Sequence, residues 1–322
     1  MNSFTGRCGL CHARGIQKTT RVLRFPEGEK TYRLECSHCG MLYDDHEAAT
    51  RAAVPFTANG LATCTPDQSF GFDMFTLRIV AARFGLAARP MDAAQTEALS
   101  RPHSSLAGAA ILSPLNQLAT APMTLGVMCR DQELSTVLDK FAAVVGEFAE
   151  CIVVVDQPST WQTALEIPQH CRILTRNLGR DFGSQRNHIQ DLSNSDWVLQ
   201  IDADEDLTVE AVRKLRRLAT LAAEQDVVSI GLPRKNFVGS RLSDLYPDVQ
   251  YRVNRRIVRY EGKVHERPVR PWQKSMIAVG LDINHMLDDA HVRQRSHVYD
   301  EISPGNGRLE EEGLLAKAFR QE

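Results

Sequence analysis

The chain has 322 residues, with 38 lysines and arginines against 40 aspartates and glutamates and a formal net charge of -2. This balance argues against a protein that binds nucleic acid through overall positive charge, and the length suits one moderate domain with a small accessory module. No amino-terminal stretch has the charged-then-apolar pattern of a secretion signal, and none is apolar for long enough to cross a bilayer. We therefore expect a protein of the reducing cytoplasm.

Near the amino terminus lie two Cys-x-x-Cys pairs, which are Cys8 with Cys11 and Cys36 with Cys39. Such a duplicate pair is typical of a four-thiolate zinc site and favours structural Zn²⁺, while a redox dithiol and paired disulfides are the alternatives. A closed site of this kind has no open coordination position, so the metal would stabilise a module too small to have an adequate core. The pattern predicts a zinc ribbon over residues 5–45, with a strand at 31–35.

The ribbon segment is locally basic, with cations at Arg14, Lys18, Arg21, Arg24, Lys30 and Arg33. These cations keep nucleic-acid binding open, but no aromatic stacking pattern accompanies them, so docking to a protein partner or to the rest of the chain is favoured. Residues 46–121 are expected to be a linker with one or two helices, the clearest at 72–84. Because no glycine-rich cofactor loop follows a strand, a methyltransferase remains a distant alternative.

Apolar runs and helical patterns alternate from residue 122 onward. Strands are predicted at 124–129, 151–156, 172–175 and 197–201, and helices at 132–148, 184–192 and 207–221. This alternation implies a parallel sheet with right-handed crossovers, whose ligand crevice lies at the carboxyl ends of the strands. The domain is expected to cover residues 122–300, and a polar tail residues 301–322.

Acidic side chains follow two of these strands. Asp156 ends the second strand, and Asp202 and Asp204 come directly after the fourth. Carboxylates one residue apart at such an edge suit Mg²⁺ or Mn²⁺, which prefer oxygen ligands. The alternatives are an acidic helix start at 202–206 and a simple turn at Asp156.

The order of motifs over residues 122–290 resembles family-2 glycosyltransferases with the GT-A fold. The chain has "LGVMCRDQE", "IVVVDQPST", the Arg-Asn of "GSQRNHIQDL" and the Asp-x-Asp of "DADE" in that family's order. Its "GKVHERP" is similar to the His-Glu motif of the lipopolysaccharide-core glucosyltransferase-like branch. The resemblance implies an α/β fold with a mostly parallel sheet flanked by helices. It also implies a nucleotide-sugar site with Cys129, Arg130, Asp156, Arg186 and Asp202.

The chemistry of sugar transfer suggests roles for the remaining candidates. The leaving diphosphate gains charge in the transition state, and a divalent cation held by Asp202, Asp204 and His285 would stabilise it. Asp204 is the first choice for direct ligation, with Asp202 on the ribose or the metal. The acceptor hydroxyl must lose a proton, for which Glu266 is the leading general base, oriented by His265.

Each of these assignments has an alternative. His285 could be a structural histidine, and His265 with Glu266 a solvated pair on a loop. Asp244 and Asp248 are the fallback bases, because the loop that contains them is expected on the acceptor side of the site. Five cations could meet phosphate or an anionic acceptor, or could form a solvated face: Arg234, Lys235, Arg252, Arg255 and Arg256.

The resemblance thus implies an inverting, metal-dependent hexosyltransferase. It would move a sugar from a nucleotide-diphosphate donor, above all UDP, to a glycan, a lipid-linked or another hydroxyl acceptor during synthesis of cell-envelope polysaccharide. Since acceptors in this branch are often lipid-linked, peripheral attachment to the inner membrane face stays open. The alternative is a zinc-ribbon binding or scaffold protein with a catalytically silent GT-A-like domain, against which the retained Asp202 and Asp204 argue.

Overall fold

The cysteine module is made of short antiparallel strands. The structure is a computed structural model that describes residues 6–51, 60–288 and 309–321. In the cysteine module, β4 pairs with β1 and β5, while β2 and β3 form a separate hairpin. The strand predicted at 31–35 divides at Tyr32, whose side chain is fully buried. The elements are β1 (Ile16–Lys18), β2 (Val22–Phe25), β3 (Gly28–Thr31), β4 (Leu34–Cys36), β5 (Leu42–Tyr43) and α1 (His46–Thr50).

The segment predicted as a linker has more regular structure than a linker would. Three strands form an antiparallel sheet in the order β6-β9-β8, and two helices pack with it. The helix predicted at 72–84 begins at Met74 because the Asp73 side chain caps it, accepting the N–H of Thr76 at 2.8 Å. The elements are β6 (Gly60–Thr63), β7 (Phe70–Gly71), α2 (Met74–Arg83), β8 (Leu86–Pro90), α3 (Ala93–Leu99) and β9 (Ala109–Pro114).

A ten-stranded sheet organises the rest of the described chain. Its path runs β12-β11-β10-β13-β17-β15-β21-β14, with β16 and β20 also paired to β15. The first four strands are parallel as predicted, whereas β17 is antiparallel to both its neighbours. The elements of this domain up to residue 224 are β10 (Met123–Cys129), α4 (Leu134–Phe141), β11 (Glu150–Val155), β12 (Cys171–Thr175), α5 (Phe182–Leu192), β13 (Trp197–Asp202), β14 (Glu205–Asp206) and α6 (Val209–Glu224).

The second half of the sheet is mixed, with parallel and antiparallel pairs. It consists of β15 (Ser229–Val238), β16 (Arg241–Leu242), β17 (Asp248–Arg255), β18 (Arg259–Glu261), β19 (Arg267–Val269), β20 (Ser275–Ile277) and β21 (Ile283–Leu287). Part of the predicted tail is helical, as α7 (Leu309–Leu315). The predicted domain end at 289–300 and the first part of the tail lie outside the described residues.

One predicted helix is much shorter than expected. The apolar pattern at 132–148 indicates a continuous helix, but α4 stops at Phe141 and a separate 3₁₀ turn covers Val145–Glu147. Gly146 lies inside that turn, and glycine in a helix interior costs about 1 kcal/mol relative to alanine. The apolar side chains still face the sheet, because Val137, Phe141 and Val144 are buried.

The strand registers bring several loops to one edge of the sheet. Met128 lies beside Asp202 in the parallel pair β10-β13, and Cys129 lies beside Val155 in β10-β11. After β13 the chain turns back and β14 pairs antiparallel with β21, so that Glu205 lies opposite His285. The carboxyl edge of β13 is therefore joined directly to the mixed half of the sheet.

The hairpin of β18 and β19 is fixed to the start of α5. The Asn187 side-chain amide donates to the Tyr260 carbonyl at 2.9 Å and accepts the Tyr260 N–H at 2.8 Å. The hairpin loop is held as well, since Phe182 N–H donates to the Lys263 carbonyl and Gly183 N–H to the Gly262 carbonyl. This packing carries Glu266 to the side of α5 that faces β13. In the described part of the chain, no helix has the length and apolar character needed to cross a membrane.

Candidate active site

Arginines bind both oxygens of the Asp202 carboxylate. Oδ1 accepts from Arg186 Nη2 at 2.6 Å, and Oδ2 accepts from Arg252 Nη2. Burial acts to raise the pKa of Asp202, but the two guanidiniums outweigh it and hold this pKa far below its ordinary value. Asp202 is therefore ionised, and each of its two oxygens is bound by an arginine.

The contacts of Asp202 belong to a longer row of buried charges. Arg186 Nε also donates to Glu266 Oε1 at 2.5 Å, and Arg252 Nη2 also donates to Glu205 Oε1 at 2.9 Å. At the far end, Arg234 Nη1 donates to Glu205 Oε1 at 3.0 Å, and Arg234 Nη2 donates to Asp248 Oδ2 at 2.5 Å. We call this row the charged ladder; its members are Glu266, Arg186, Asp202, Arg252, Glu205, Arg234 and Asp248.

Alternation of sign makes the charged ladder tolerable inside the protein. Each arginine lies between two carboxylates, and such charge-assisted bonds offset part of the cost of removing the ions from water. Arg186 and Arg252 are buried, and the Arg186 guanidinium also lies 5.7 Å from the centre of the Tyr260 ring. The ladder is thus a rigid support along the edge of the sheet.

Asp204 contacts His285, a residue of β21. Asp204 Oδ2 is 3.0 Å from His285 Nε2, and the Met286 N–H donates to the Asp204 carbonyl. His285 is buried, and its Nδ1 lies 2.6 Å from Asn236 Oδ1. This pairing follows from the β14-β21 register, which places the turn before β14 next to His285.

The orientation of the His285 ring follows from its second partner. Asn236 Nδ2 donates to Asp248 Oδ2 at 3.2 Å, which turns Asn236 Oδ1 toward the ring. His285 Nδ1 then donates a hydrogen bond to Asn236 Oδ1, and Nε2 faces Asp204 Oδ2 at hydrogen-bond distance, where a metal ion would take the place of the shared proton. A carboxylate oxygen and an imidazole nitrogen that face one another are two metal donors, and the set suits Mn²⁺ or Mg²⁺ completed by water and phosphate oxygens.

The predicted three-ligand set for the catalytic metal is not assembled. Among the described residues, the one group of three or more His, Cys, Asp or Glu side chains close enough to hold a metal is the cysteine cluster. Asp204 and His285 lie together, whereas the Asp202 oxygens are turned to Arg186 and Arg252. The positive charges of these two arginines attract the Asp202 carboxylate, whereas the neighbouring Asp204 carboxylate repels it.

The residues predicted to contact the nucleotide lie at the ends of β10 and β11. Asp156 Oδ1 accepts the Leu178 N–H at 2.7 Å, and the Asp156 N–H donates to the Cys129 carbonyl at 2.9 Å. The Cys129 side chain is buried, and burial raises its pKa to about 12, with Glu133 adding to the effect. Arg130 is exposed and its guanidinium binds Glu133. The backbone of Cys129, and not its buried thiol, therefore lies at the edge of the sheet.

His265 and Glu266 lie together on the hairpin loop. His265 has a left-handed backbone conformation with φ of 52°, and Gly262 in the same loop has φ of 102°. The Gly262 conformation favours glycine, because side chains are strained there. Glu266 binds Arg186 of α5, so the loop provides the residue at one end of the charged ladder.

The two fallback bases are both engaged elsewhere. Asp244 is bound by Arg7 at 2.6 Å and by Arg14 at 2.9 Å, at the contact with the cysteine module. Asp248 is bound by Arg234 at the end of the charged ladder. Neither carboxylate is a freely available proton acceptor. Arg234, one of the cations that could meet phosphate, is instead buried between Glu205 and Asp248.

The four cysteines form one compact cluster. The sulfurs of Cys8 and Cys39 are 3.7 Å apart, those of Cys11 and Cys36 are 3.6 Å apart, and all four lie within 4.8 Å of one another. All are buried and none forms a disulfide. A tetrahedral zinc with Zn–S bonds of about 2.3 Å has sulfurs about 3.8 Å apart, so the spacing fits a four-thiolate site.

Several cations of the cysteine module are used in internal ion pairs. Arg21 contacts Asp73 in the middle segment, and Lys30 contacts Asp44 within the module. Arg14 bridges to Asp244 of the large domain. The local positive charge therefore joins parts of this chain to one another.

Part of the large domain is similar to a known family. Residues 131–271 match the family model described as glycosyl transferase family 2, the family that the order of motifs resembles.

Individual relatives match over limited parts of their length. A TPR repeat-containing protein of Synechococcus elongatus is 28% identical over 141 residues, which are 41% of this chain and 34% of the relative. Among solved structures, S. aureus TarS 1-349 in complex with UDP-GlcNAc is 12% identical, covering 51% of this chain and 58% of that chain, with a TM-score of 0.36. The complex of TarS 1-349 with UDP is 14% identical, with 56% and 64% covered and the same TM-score. The chain thus spans about a third of the curated relative and less than two thirds of TarS 1-349.

Proposed function

We propose that this protein transfers a sugar from a nucleotide-diphosphate donor to a hydroxyl acceptor. The observation that carries the proposal is the Asp204–His285 pair at the carboxyl end of β13. Asp204 lies within residues 131–271, which match the family-2 glycosyltransferase model, and His285 follows them. Ligand sites of open α/β sheets lie at this edge of the sheet. Following the family resemblance, the finer proposal is an inverting hexosyltransferase that uses UDP-sugar and a saccharide or lipid-linked acceptor in the cytoplasm.

The metal-binding part of the proposal rests on Asp204 and His285. Their facing atoms are 3.0 Å apart, and the contact of Asn236 with Nδ1 holds the His285 ring so that Nε2 faces Asp204. When bound, Mg²⁺ or Mn²⁺ would supply positive charge to the leaving diphosphate. Asp202 is proposed to face the ribose, held in place by Arg186 and Arg252.

The acceptor side of the proposal rests on Glu266. Arg186 binds one of its oxygens, which fixes the carboxylate at the rim of the loop where an acceptor hydroxyl could approach. A fixed carboxylate can accept the hydroxyl proton as the new glycosidic bond forms. His265, the residue before it, is proposed to orient the carboxylate or the diphosphate.

The cysteine cluster is proposed to hold Zn²⁺ in a structural role. Four thiolates leave no open position on a tetrahedral ion, so the site does not take part in sugar transfer. Zinc content that is lost when Cys36 and Cys39 are both replaced by serine would support this assignment, as a single site requires about one ion per chain.

Donor binding can be tested by thermal unfolding with nucleotide and metal. We expect UDP with Mn²⁺ to raise the melting temperature of the wild type, since a ligand at about 100 times its Kd stabilises the folded state by about 2.7 kcal/mol. Asp204→Ala should lose most of the metal-dependent part, because it removes one of the two metal donors. Differential scanning fluorimetry with UDP, Mn²⁺ and both together measures each contribution.

A matched control for this test is Glu210→Gln. Glu210 pairs with Lys214 on the exposed side of α6, so its variant should keep the full shift. An unchanged melting temperature of the wild type with every nucleoside diphosphate and metal tried would contradict the proposal and favour a binding protein with a silent domain.

A further inference from the structure

Arg7 links the cysteine cluster to the large domain. It directly precedes Cys8 and is only 3% exposed. Its Nη1 donates to the carbonyls of His12 and Tyr246, at 2.8 Å and 2.5 Å. Its Nη2 donates to both the carbonyl and the carboxylate of Asp244, at 2.9 Å and 2.6 Å. One buried guanidinium therefore fastens the first cysteine knuckle to the loop before β17.

Arg7 also binds the carboxyl-terminal part of the chain. Its Nε donates to the Arg320 carbonyl at 2.8 Å, and its guanidinium lies 4.4 Å from the centre of the Phe319 ring. The same terminal part pairs with the loop, because Asp244 N–H donates to the Lys317 carbonyl and Phe319 N–H to the Leu242 carbonyl. Arg7 thus lies where the module, the loop and the terminal segment meet.

The loop that Arg7 holds leads directly to the proposed metal pair. Ser243 N–H donates to the Asn236 carbonyl at 2.8 Å, and the Asn236 side chain contacts His285. The loop then enters β17 at Asp248, which binds both Arg234 of the charged ladder and the Asn236 amide. A short chain of contacts therefore links Arg7 to His285. It runs from Asp244 through the adjacent Ser243 to Asn236, which contacts the His285 ring.

The cost of disturbing this contact falls on the loop. Asp244 is 8% exposed, and its second cation, Arg14, is 43% exposed. Losing the buried partner leaves a buried carboxylate with one loosely held cation, which is strongly unfavourable. The loop would relieve this cost by moving toward water, and Asn236 and Asp248 would move with it.

We propose that the metal-bound cysteine module is a positioning element of the donor site, acting through Arg7 and Asp244 on Asn236 and His285. The inference rests on the proposed function, because it concerns the affinity of that site for metal and nucleotide. It assigns the module an internal partner, the loop of residues 243–248.

The experiment compares donor affinity with zinc content in Arg7→Met. Titration calorimetry of the full chain with UDP and Mn²⁺ gives Kd for the folded protein, and metal analysis gives the bound zinc. We expect Arg7→Met to keep its zinc and weaken UDP–Mn²⁺ binding about tenfold. As a control, Arg89→Met removes the exposed pair with Glu224 and should leave Kd unchanged.

A cycle with Asp244→Asn separates positioning from general destabilisation. If the two residues act through their contact, the double variant should bind no more weakly than Arg7→Met, because the second change removes an interaction already lost. Should Arg7→Met not fold, Asp244→Asn, which keeps the shape of its side chain, carries the same test alone.

Two outcomes are distinguished by these measurements. Folded Arg7→Met with wild-type Kd and a lowered melting temperature would show a merely structural role and overturn the inference, leaving the proposed function intact. Failure of the wild type to bind any nucleoside diphosphate would instead overturn the proposed function.

Discussion

At the scale of single residues, Asp202 and Asp204 have different surroundings although one residue separates them. Asp202 is taken up by Arg186 and Arg252, whereas Asp204 faces an imidazole nitrogen whose other side is fixed by Asn236. A D-x-D pattern alone therefore does not say which carboxylate binds a metal. The partners that decide it come from α5, β17 and β21, far away in sequence.

Glu266→Gln is the residue-scale test of the proton acceptor. The amide can still contact Arg186 but cannot take a proton, so we expect kcat to fall by about 10²- to 10⁴-fold with little change in nucleotide affinity. Steady-state kinetics with a responsive acceptor, together with UDP titration, measures the two effects separately. Glu261→Gln, on the exposed face of the same hairpin, is the control. Unaltered kcat in Glu266→Gln would assign Glu266 to holding Arg186 only.

The sequence predicts some of these residues and misses others for identifiable reasons. Asp204 and His285 could be proposed from motif order, and the structure brings them together. The sequence does not predict Glu205 as a site residue, and it predicts Arg252 to meet phosphate or an anionic acceptor or to lie on a solvated face, because a buried ion pair depends on tertiary contacts. A local signal existed, since Arg252 lies in a strand beside buried Val253 and Asn254 and therefore needs a buried partner.

At the scale of elements, the parallel strands were well predicted and the short hairpins were not. Continuous apolar runs mark β10, β11 and β13, because both faces of these strands are covered. The hairpin of β18 and β19 has three residues in each strand and includes Pro268, so its pattern is too short to be distinguished from a loop. Its position depends on Asn187, whose contacts with Tyr260 cannot be inferred from either segment alone.

Gly183→Ala tests the docking of this hairpin on α5. A Cβ at residue 183 would lie 2.6 Å from the Gly262 carbonyl oxygen, so the loop that carries Glu266 would have to move. We expect a loss of about 1 to 3 kcal/mol in unfolding free energy, as for other overpacked sites, and a lower kcat. Urea unfolding and turnover measure the two.

Gly146→Ala is the matched control, since a Cβ there has no neighbour within 4 Å. Its stability should stay the same or rise, by at most about 1 kcal/mol. Wild-type stability and turnover in Gly183→Ala would show that the hairpin contact is loose and does not fix Glu266.

At the scale of the whole molecule, the described parts of the chain are more interwoven than the sequence suggests. The stretch 46–121 is predicted as a linker, yet its described part contains a three-stranded sheet with α2 and α3 packed against it. The cysteine module, predicted as an accessory ribbon, shares Arg7 and Arg14 with the large domain. Local composition cannot show such docking, because it depends on which surfaces meet. The module boundaries themselves stay a prediction.

Acid unfolding should report on the charged ladder. The ordinary pKa of an aspartate is 3.8; burial acts to raise the pKa of Asp248, but Arg234 outweighs it and holds this pKa to about 2. Ionised Asp248 therefore stabilises the folded state above pH 4, and this contribution, about 2 kcal/mol, is lost as the pH falls through about 2. The stability difference between wild type and Asp248→Asn should be largest near pH 7 and shrink below pH 4.

Urea unfolding at several pH values from 7 to 3 measures this difference. Glu210→Gln, which breaks an exposed pair, should differ little from the wild type at every pH. A difference for Asp248→Asn that grows as the pH falls would contradict the role assigned to Arg234.

The charged ladder has a consequence for how this edge of the sheet can change during evolution. Replacing one interior member, such as Arg252, by a neutral residue leaves two acids, Asp202 and Glu205, facing each other without a cation between them. Removing Arg234 together with Asp248 at the end of the row deletes one charge of each sign and keeps the remaining alternation intact. Drift at this edge should therefore proceed by paired replacements that start from the Asp248 end, while Arg252 stays locked until its neighbours have changed.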